Sequence, residues 1–127
     1  MSNRATKLVG SGIAPAAALA IVGGQDVQLN LTATGNSQAS ALAVYGDNVQ
    51  VVNTPAASGV IAFQGPSVSP GDDQFIQNLG ANPLLVYPPV GGSINTLGLN
   101  NAYSLPSGKS LILRALGGNG FATVVSA

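Results

Sequence analysis

The stretch Gln25-Asp-Val-Gln-Leu-Asn-Leu-Thr-Ala-Thr34 decides the fold class, because apolar and polar residues alternate along its whole length. A period of two is typical of a β-strand with one buried face, since successive side chains of a strand point to opposite faces of the sheet. No helical period fits the stretch as well. The alternation predicts a strand whose apolar set faces the core: Val27, Leu29, Leu31 and Ala33.

Further short β-prone segments follow along the chain, each bounded by Gly, Pro, Asn or Ser. They cover residues 41–52, 60–64, 74–78, 84–87, 110–116 and 121–125. In the first of these, Gly46-Asp47-Asn48 favours a tight turn, so residues 41–52 are predicted to form a hairpin. A series of seven to nine such strands predicts an all-β fold, either a β-sandwich or a jelly-roll-like barrel.

A weak internal repeat supports the same class. Residues 70–84 align with residues 107–121, and in both copies a Gly turn opens a strand that closes on Leu-Gly-[Ala/Gly]-Asn before an apolar residue begins the returning strand. We interpret the repeat as two hairpins of the same design. The alternative interpretation, a duplicated binding unit, is the less favoured one.

The chain divides into an arm and one domain. Gly and Pro are spread throughout the 127 residues, which indicates a single β-sandwich domain over residues 25–127. Residues 1–24 are Ala-rich, and Arg4 and Lys7 followed by the apolar run Ile13–Val22 imitate a secretory signal. That run is too short and too interrupted by proline to cross a bilayer. We therefore expect an ordered or semi-ordered N-terminal arm or short helix, which could reach across to a neighbouring subunit.

The second informative feature is the scarcity of charge. The chain has four Lys or Arg, four Asp, and no Glu, His, Cys or Trp, so its net charge is zero. Most enzymatic chemistry needs an ionisable side chain, a thiolate or a metal ligand, so we expect no enzyme and no cofactor. The four cations lie two near each end of the chain, which disfavours nucleic-acid binding. A neutral surface favours association with itself or with a larger assembly.

Two ionisable groupings are candidates for catalytic or metal sites. Asp72 and Asp73 could be metal ligands or an acid–base pair, but the preceding Pro-Gly turn favours an exposed turn with solvated carboxylates. Ser110 beside Lys109 is the one hydroxyl next to a base, yet neighbours in a strand point to opposite faces. Neither grouping predicts a site, so we expect no catalytic, cofactor-binding or metal-binding residues.

Two loops are candidates for ligand motifs. Gly91-Gly92-Ser93 lacks the lysine and the following helix of a phosphate loop, which indicates a turn. The segment Tyr87-Pro88-Pro89 could imitate a polyproline ligand, but after the apolar Leu84-Leu85-Val86 it is better interpreted as the end of a strand. The six aromatic residues are dispersed, so core packing is their default role.

The C-terminal part of the chain resembles a known group of proteins. Its residues Asn78-Leu-Gly-Ala-Asn-Pro-Leu-Leu-Val-Tyr-Pro-Pro-Val-Gly-Gly-Ser-Ile-Asn95, followed by Leu105-Pro-Ser-Gly-Lys-Ser-Leu-Ile-Leu113, resemble small β-rich structural proteins of tailed bacteriophages. The resemblance covers roughly the last fifty residues.

What the resemblance implies is a virion component on the outer surface of the capsid. The expected role is that of a decoration, or cement, protein that binds the major capsid protein lattice and stabilises the head, with no catalytic residue to carry over. The expected assembly is a homo-oligomer, a trimer before a dimer, with no nucleic-acid or membrane partner. The alternative is a phage fibre or receptor-binding β-module.

Overall fold

The computed structural model describes residues 26–65 and 68–126, and every regular element in these ranges is a β-strand. Six strands form one sheet, the large sheet: β1 Val27–Thr32, β3 Asn48–Asn53, β5 Asp73–Asn78, β7 Ser93–Ile94, β9 Ser110–Gly117 and β10 Gly120–Val125. Four strands form the small sheet: β2 Leu42–Ala43, β4 Gly59–Ile61, β6 Leu84–Tyr87 and β8 Tyr103–Leu105. The predicted all-β class is confirmed.

Both sheets are open within the described residues. The large sheet runs β1-β3-β5-β9-β10-β7 and the small sheet runs β2-β4-β6-β8, so each has two edge strands. The jelly-roll-like barrel is therefore not observed within the described ranges, because neither sheet closes on itself. The predicted arm, residues 1–24, lies outside the described residues.

The first six strands alternate between the two sheets. Consecutive strands therefore never pair with each other, and the ladders β1–β3–β5 and β2–β4–β6 are all parallel. Parallel neighbours need a crossover connection, and here the crossover is a strand of the other sheet instead of a helix. The chain thus winds around the space between the sheets before β8 pairs antiparallel with β6, and β9 pairs antiparallel with β5 and β10. The ladder of β10 with β7 is parallel.

The hairpin predicted over residues 41–52 is wrong, because the chain turns a corner there. Val44 is fully buried, and its N–H donates to the Ile61 carbonyl of the small sheet. The next two N–H groups, those of Tyr45 and Gly46, both donate to the side-chain oxygen of Gln28 at 2.8 and 2.9 Å. These contacts direct β3 into the large sheet, so β2 and β3 belong to different sheets.

One core lies between the sheets. The large sheet contributes Val49, Val51, Ile76, Leu111 and Leu113, and the small sheet contributes Val60, Leu84, Val86 and Leu105, all at most 1% exposed. Burial of a side chain of this size contributes about 1.5–3 kcal/mol to the free energy of folding. The shared core is what holds the two open sheets together.

The strand that decided the fold class contains a bulge. Asn30 has a φ of 59°, and the pairing with β3 shifts between Gln28 and Leu31. The extra residue reverses which face the following side chains occupy. Ala33 is buried and Leu31 packs against the core as predicted, but Val27 and Leu29 are 55% and 56% exposed, so their predicted burial is wrong.

The internal repeat corresponds to one hairpin, not two. Residues 107–121 contain the start of a true antiparallel hairpin, β9–β10, whose turn has φ values of 91°, 58° and 64° at Gly117, Gly118 and Asn119. In residues 70–84, β5 and β6 lie in different sheets, so the first predicted hairpin is wrong. There Gly80 packs closely against Thr54, because a Cβ added to Gly80 would lie 2.6 Å from the Thr54 nitrogen. After this contact the chain crosses to the other sheet.

Candidate contact surface

Buried amide side chains stabilise the corners between the sheets. Asn78, which is fully buried, donates from its side chain to the Asn82 and Leu105 carbonyls at 2.9 and 3.0 Å, and its side-chain oxygen accepts the Gly80 N–H. Gln74 donates to the Gly46 carbonyl at 2.9 Å and accepts the Phe63 N–H at 3.1 Å. Because corners leave backbone groups without ladder partners, these amides perform a structural role.

Sequence reasoning missed these amides. In β5 the inward residues are Gln74, Ile76 and Asn78, while Phe75 faces outward. Ile76 follows hydrophobic patterning, but Gln74, Asn78 and Phe75 lie on the faces opposite to those that patterning predicts. The signal that could have found them is the position of Asn78 and Gln74 beside the Gly and Pro that mark the ends of the strand.

The structure separates the two adjacent carboxylates. Asp72 is 8% exposed, and one of its side-chain oxygens accepts the Ser69 N–H at 2.9 Å. Asp73 begins β5 and faces Arg114 on the outside of the large sheet. The predicted pair of solvated turn carboxylates is therefore wrong for Asp72, because hydrogen bonds from Gly71 N–H to the Ala115 carbonyl, and from Ala115 N–H to the Asp72 carbonyl, hold the turn against β9.

Arg114 and Asp73 form a bidentate ion pair. The guanidinium donates at 2.7 and 2.9 Å to the two carboxylate oxygens, and the side chains are 58% and 40% exposed. The hydrogen bond to Asp73, and then its charge, raise the pKa of Arg114 above the ordinary arginine value. The two opposite charges cancel, so this part of the surface carries no net charge.

The loop candidates have structural roles. The N–H groups of Gly91, Gly92 and Ser93 donate to Asn100 Oδ1 and to the Pro89 and Asn119 carbonyls, so they are engaged with the protein and do not present a phosphate cradle. Lys109 precedes β9, and its carbonyl accepts the Asn78 N–H, while the N–H of Ser110 donates to Ser126 Oγ. Neither group of contacts assembles a catalytic pair.

The segment Tyr87-Pro88-Pro89 ends a strand, as predicted. Tyr87 is 8% exposed as the last residue of β6, and the Pro88 carbonyl accepts a hydrogen bond from the side chain of Gln38 at 2.8 Å. Burial of Tyr87 and Pro88 removes the face that a polyproline ligand presents to its receptor.

A cavity of about 300 Å³ lies beside the β9–β10 turn. Phe63 and Phe121 form its aromatic wall, with ring centroids 5.3 Å apart and an interplanar angle of 27°. The described residues around it are otherwise Gly, Pro, Ala, Val, Ser and Asn, without an ionisable side chain. Acid–base chemistry is therefore not available from these residues.

The outer face of the large sheet carries a row of neutral residues, which we name the outer row. It consists of residues that are neighbours in register on five adjacent strands: Val27, Asn48, Phe75, Ile112 and Val124. Val27, Ile112 and Val124 are 55%, 37% and 68% exposed. Four strand spacings make the row about 19 Å long.

The residues beside the outer row are neutral or neutralised. Asp73, Arg114 and Ala122 are aligned on one side, so the ion pair forms that border. Gln50, Gln77 and Ser110 are aligned on the other side. A mostly apolar strip with neutral borders can bury area against another protein at low desolvation cost.

Comparisons with known proteins give no relative. No protein-family model matches the chain, and neither the search of curated proteins nor that of solved structures gives a match. In residues 26–65 and 68–126 there is no cluster of three or more acidic, His or Cys side chains that could hold a metal ion. The same ranges contain no helix of the length and apolarity needed to cross a bilayer.

Proposed function

We propose that this chain is a phage capsid decoration protein, a β-sandwich with an Ala-rich N-terminal arm, that binds the major capsid protein lattice on the outside of the virion and stabilises the head. The outer row is the observation that carries the proposal. It offers neutral contact area on a rigid sheet, and the ion pair beside it adds no net charge. Homo-oligomers, trimers before dimers, would multiply such contacts by avidity.

The surface chemistry supports a binding role over a catalytic one. Asp72 is engaged in the turn before β5, and Asp73 is engaged in the ion pair with Arg114. Binding through a neutral strip depends on apolar burial, so we expect affinity for capsids to change little with salt concentration.

Ile112→Lys tests the role of the outer row. A lysine there would be buried at the contact without a partner, so we expect binding to purified capsids of the same phage, measured by co-sedimentation, to weaken at least about tenfold. Val90→Lys is the matched control, since Val90 is 79% exposed in a loop and lies outside the row. Equal binding by both variants would remove the outer row from the proposal.

The alternative function, a fibre or receptor-binding module, predicts glycan binding by the isolated chain. Such a module needs exposed aromatic and polar groups together, and among the described residues Tyr45, at 53% exposure, is the most exposed aromatic side chain. Glycan binding that is reduced by Tyr45→Ala, together with virions that stay intact without the chain, would favour this alternative.

A further inference from the structure

The cavity beside the β9–β10 turn, which we name the aromatic cavity, has the dimensions of a small-molecule site. Its volume of about 300 Å³ lies at the lower end of the range for ligand pockets. A dry apolar cavity of about 150 Å³ is already large enough to hold benzene. Its lining residues come from the segment after β4, the turn before β5, the segment between β6 and β7, and the β9–β10 hairpin. The aromatic cavity therefore has room for one molecule of one or two rings.

The aromatic wall of this cavity is held in place from the core. The Phe63 and Phe121 rings stack with centroids 5.3 Å apart, inside the range of about 4.5–7 Å in which aromatic pairs attract. Phe63 has a φ of 53°, which is disfavoured for a bulky residue, and such backbone outliers cluster at ligand sites. Its N–H donates to Oε1 of the buried Gln74 at 3.1 Å. A core amide thus fixes the backbone that carries one ring of the wall.

The wall formed by the segment between β6 and β7 is also fixed by the protein. The Pro89 carbonyl accepts the Gly92 N–H at 2.8 Å, and the Asn119 carbonyl accepts the Ser93 N–H at 3.0 Å. A Cβ added to Gly92 would lie 3.1 Å from Cε2 of Phe121, so the glycine permits this segment to approach the ring closely. A wall that is formed before the ligand arrives loses little conformational entropy on binding.

The lining residues determine which ligand chemistry fits. None of them carries an ionisable side chain, and the polar side chains among them are those of Ser69 and Asn119. A charged ligand would lose hydration without gaining an opposite charge. A hydroxyl and an amide can both donate and accept hydrogen bonds. The matching ligand is an uncharged aromatic ring that carries one hydrogen-bonding group, as in a phenol or an indole.

We propose that the aromatic cavity binds one small molecule of this class, with its ring against Phe63 and Phe121 and its polar group at Ser69 or Asn119. This inference is independent of the proposed function, because no residue of the outer row lines the cavity. Binding of the ligand therefore leaves the outer row available for contact with another protein.

Titration of the nitrogen-15-labelled, full-length chain with phenol, followed by amide NMR, tests the proposal. Phenol is uncharged at about pH 7. We expect saturable shifts with a Kd below about 5 mM. The shifts should fall on the amides of the β9–β10 turn: Gly117, Gly118, Asn119 and Gly120. The amide of Gly108, which lies outside the cavity lining, should not shift. A weaker Kd, or shifts that map to other parts of the chain, would overturn the proposal.

Two compounds of similar size separate the features of the ligand. Cyclohexanol keeps the hydroxyl and loses the aromatic ring, so it should bind at least about threefold more weakly than phenol. Benzoate keeps the ring and adds a charge, so it should bind at least about tenfold more weakly. Equal affinities for the three compounds would indicate unselective partition onto apolar surface, and this result would contradict the proposal.

A matched pair of variants tests the aromatic wall. Phe63→Leu keeps an apolar side chain and removes one ring, so it should weaken phenol binding at least about threefold and abolish the preference over cyclohexanol. Tyr103→Leu is the control, because Tyr103 is another half-buried aromatic residue that packs against the core, outside the cavity lining. This control should keep the preference. Retention of the preference by a folded Phe63→Leu chain, or its loss in the control, would refute the assigned ring contact.

Discussion

Replacing Asn78 with Ala tests whether buried amides hold the two sheets in their arrangement. Asn78 lies at the end of β5, and its side chain makes three hydrogen bonds to backbone groups of Gly80, Asn82 and Leu105. Those groups belong to the corner that leads to β6 and to the end of β8. Without the amide, two carbonyls and one N–H remain buried without this partner.

The expected loss of stability follows from these three contacts. A neutral hydrogen bond contributes about 1 kcal/mol net, and an orphaned buried group costs about 1–3 kcal/mol. We therefore expect Asn78→Ala to lower the free energy of unfolding by about 3–5 kcal/mol, a large share of the stability of an ordinary domain. Asn78→Asp should cost more, because it keeps the acceptor for Gly80, loses both donors and adds a buried charge.

Equilibrium unfolding in urea measures this effect, with the midpoint falling at an unchanged m-value. Gln77→Ala is the matched control, because Gln77 is the preceding residue of β5 and faces outward. We expect this control to change stability by no more than about 0.5 kcal/mol. A cost below about 1 kcal/mol for Asn78→Ala would refute the structural role of the amide.

Three further substitutions test the close approach, the bulge and the ion pair. Gly59→Ala should cost at least about 2 kcal/mol, because an added Cβ would lie 2.5 Å from the Leu85 carbonyl oxygen, whereas Gly120→Ala, with its nearest atom at 3.5 Å, should be tolerated in the same urea titration. Asn30→Val should cost about 1–2 kcal/mol because a β-branched residue disfavours a φ of 59°, and Asn30→Gly, measured beside it, should not. Arg114→Gln should shift the thermal midpoint little, and less still in high salt. Because its pKa is raised above the ordinary arginine value, Arg114 stays protonated at all lower pH, and its contribution to the thermal midpoint should be constant between about pH 5 and 9. A midpoint difference from the natural chain that varies across this range would contradict the prediction.

The sequence predicts the positions of the strands better than their partners. Leu84–Tyr87 is predicted with its exact bounds, because an apolar run between two prolines leaves one interpretation. The very short β7 and β8 are missed, because two or three residues carry no measurable period. The corner at Gly46 is mistaken for a hairpin turn, since both use the same residue types and differ only in which sheet receives the next strand.

The outer row could not be predicted from the sequence. Alternation of apolar and polar residues assigns each side chain to one face of a strand without regard to bulges or to contacts with other strands. The bulge at Asn30 exposes Val27, and the corner hydrogen bonds draw Gln74 and Asn78 inward, which leaves Phe75 on the outer face. Each reversal depends on tertiary contacts absent from a local window of sequence. The prediction about Asp72 fails for the same reason, since its burial depends on β9, about forty residues further along the chain.

The winding of the chain between its sheets has a consequence for synthesis. The parallel ladders formed by β1 to β6 join segments distant in sequence, and among the described strands the β9–β10 hairpin is the one local pairing. Pairing of β5 with β9 must wait until β9 has left the ribosome. The edge of β5 therefore stays exposed until β9 emerges, so this topology predicts chaperone binding to the nascent chain over that interval.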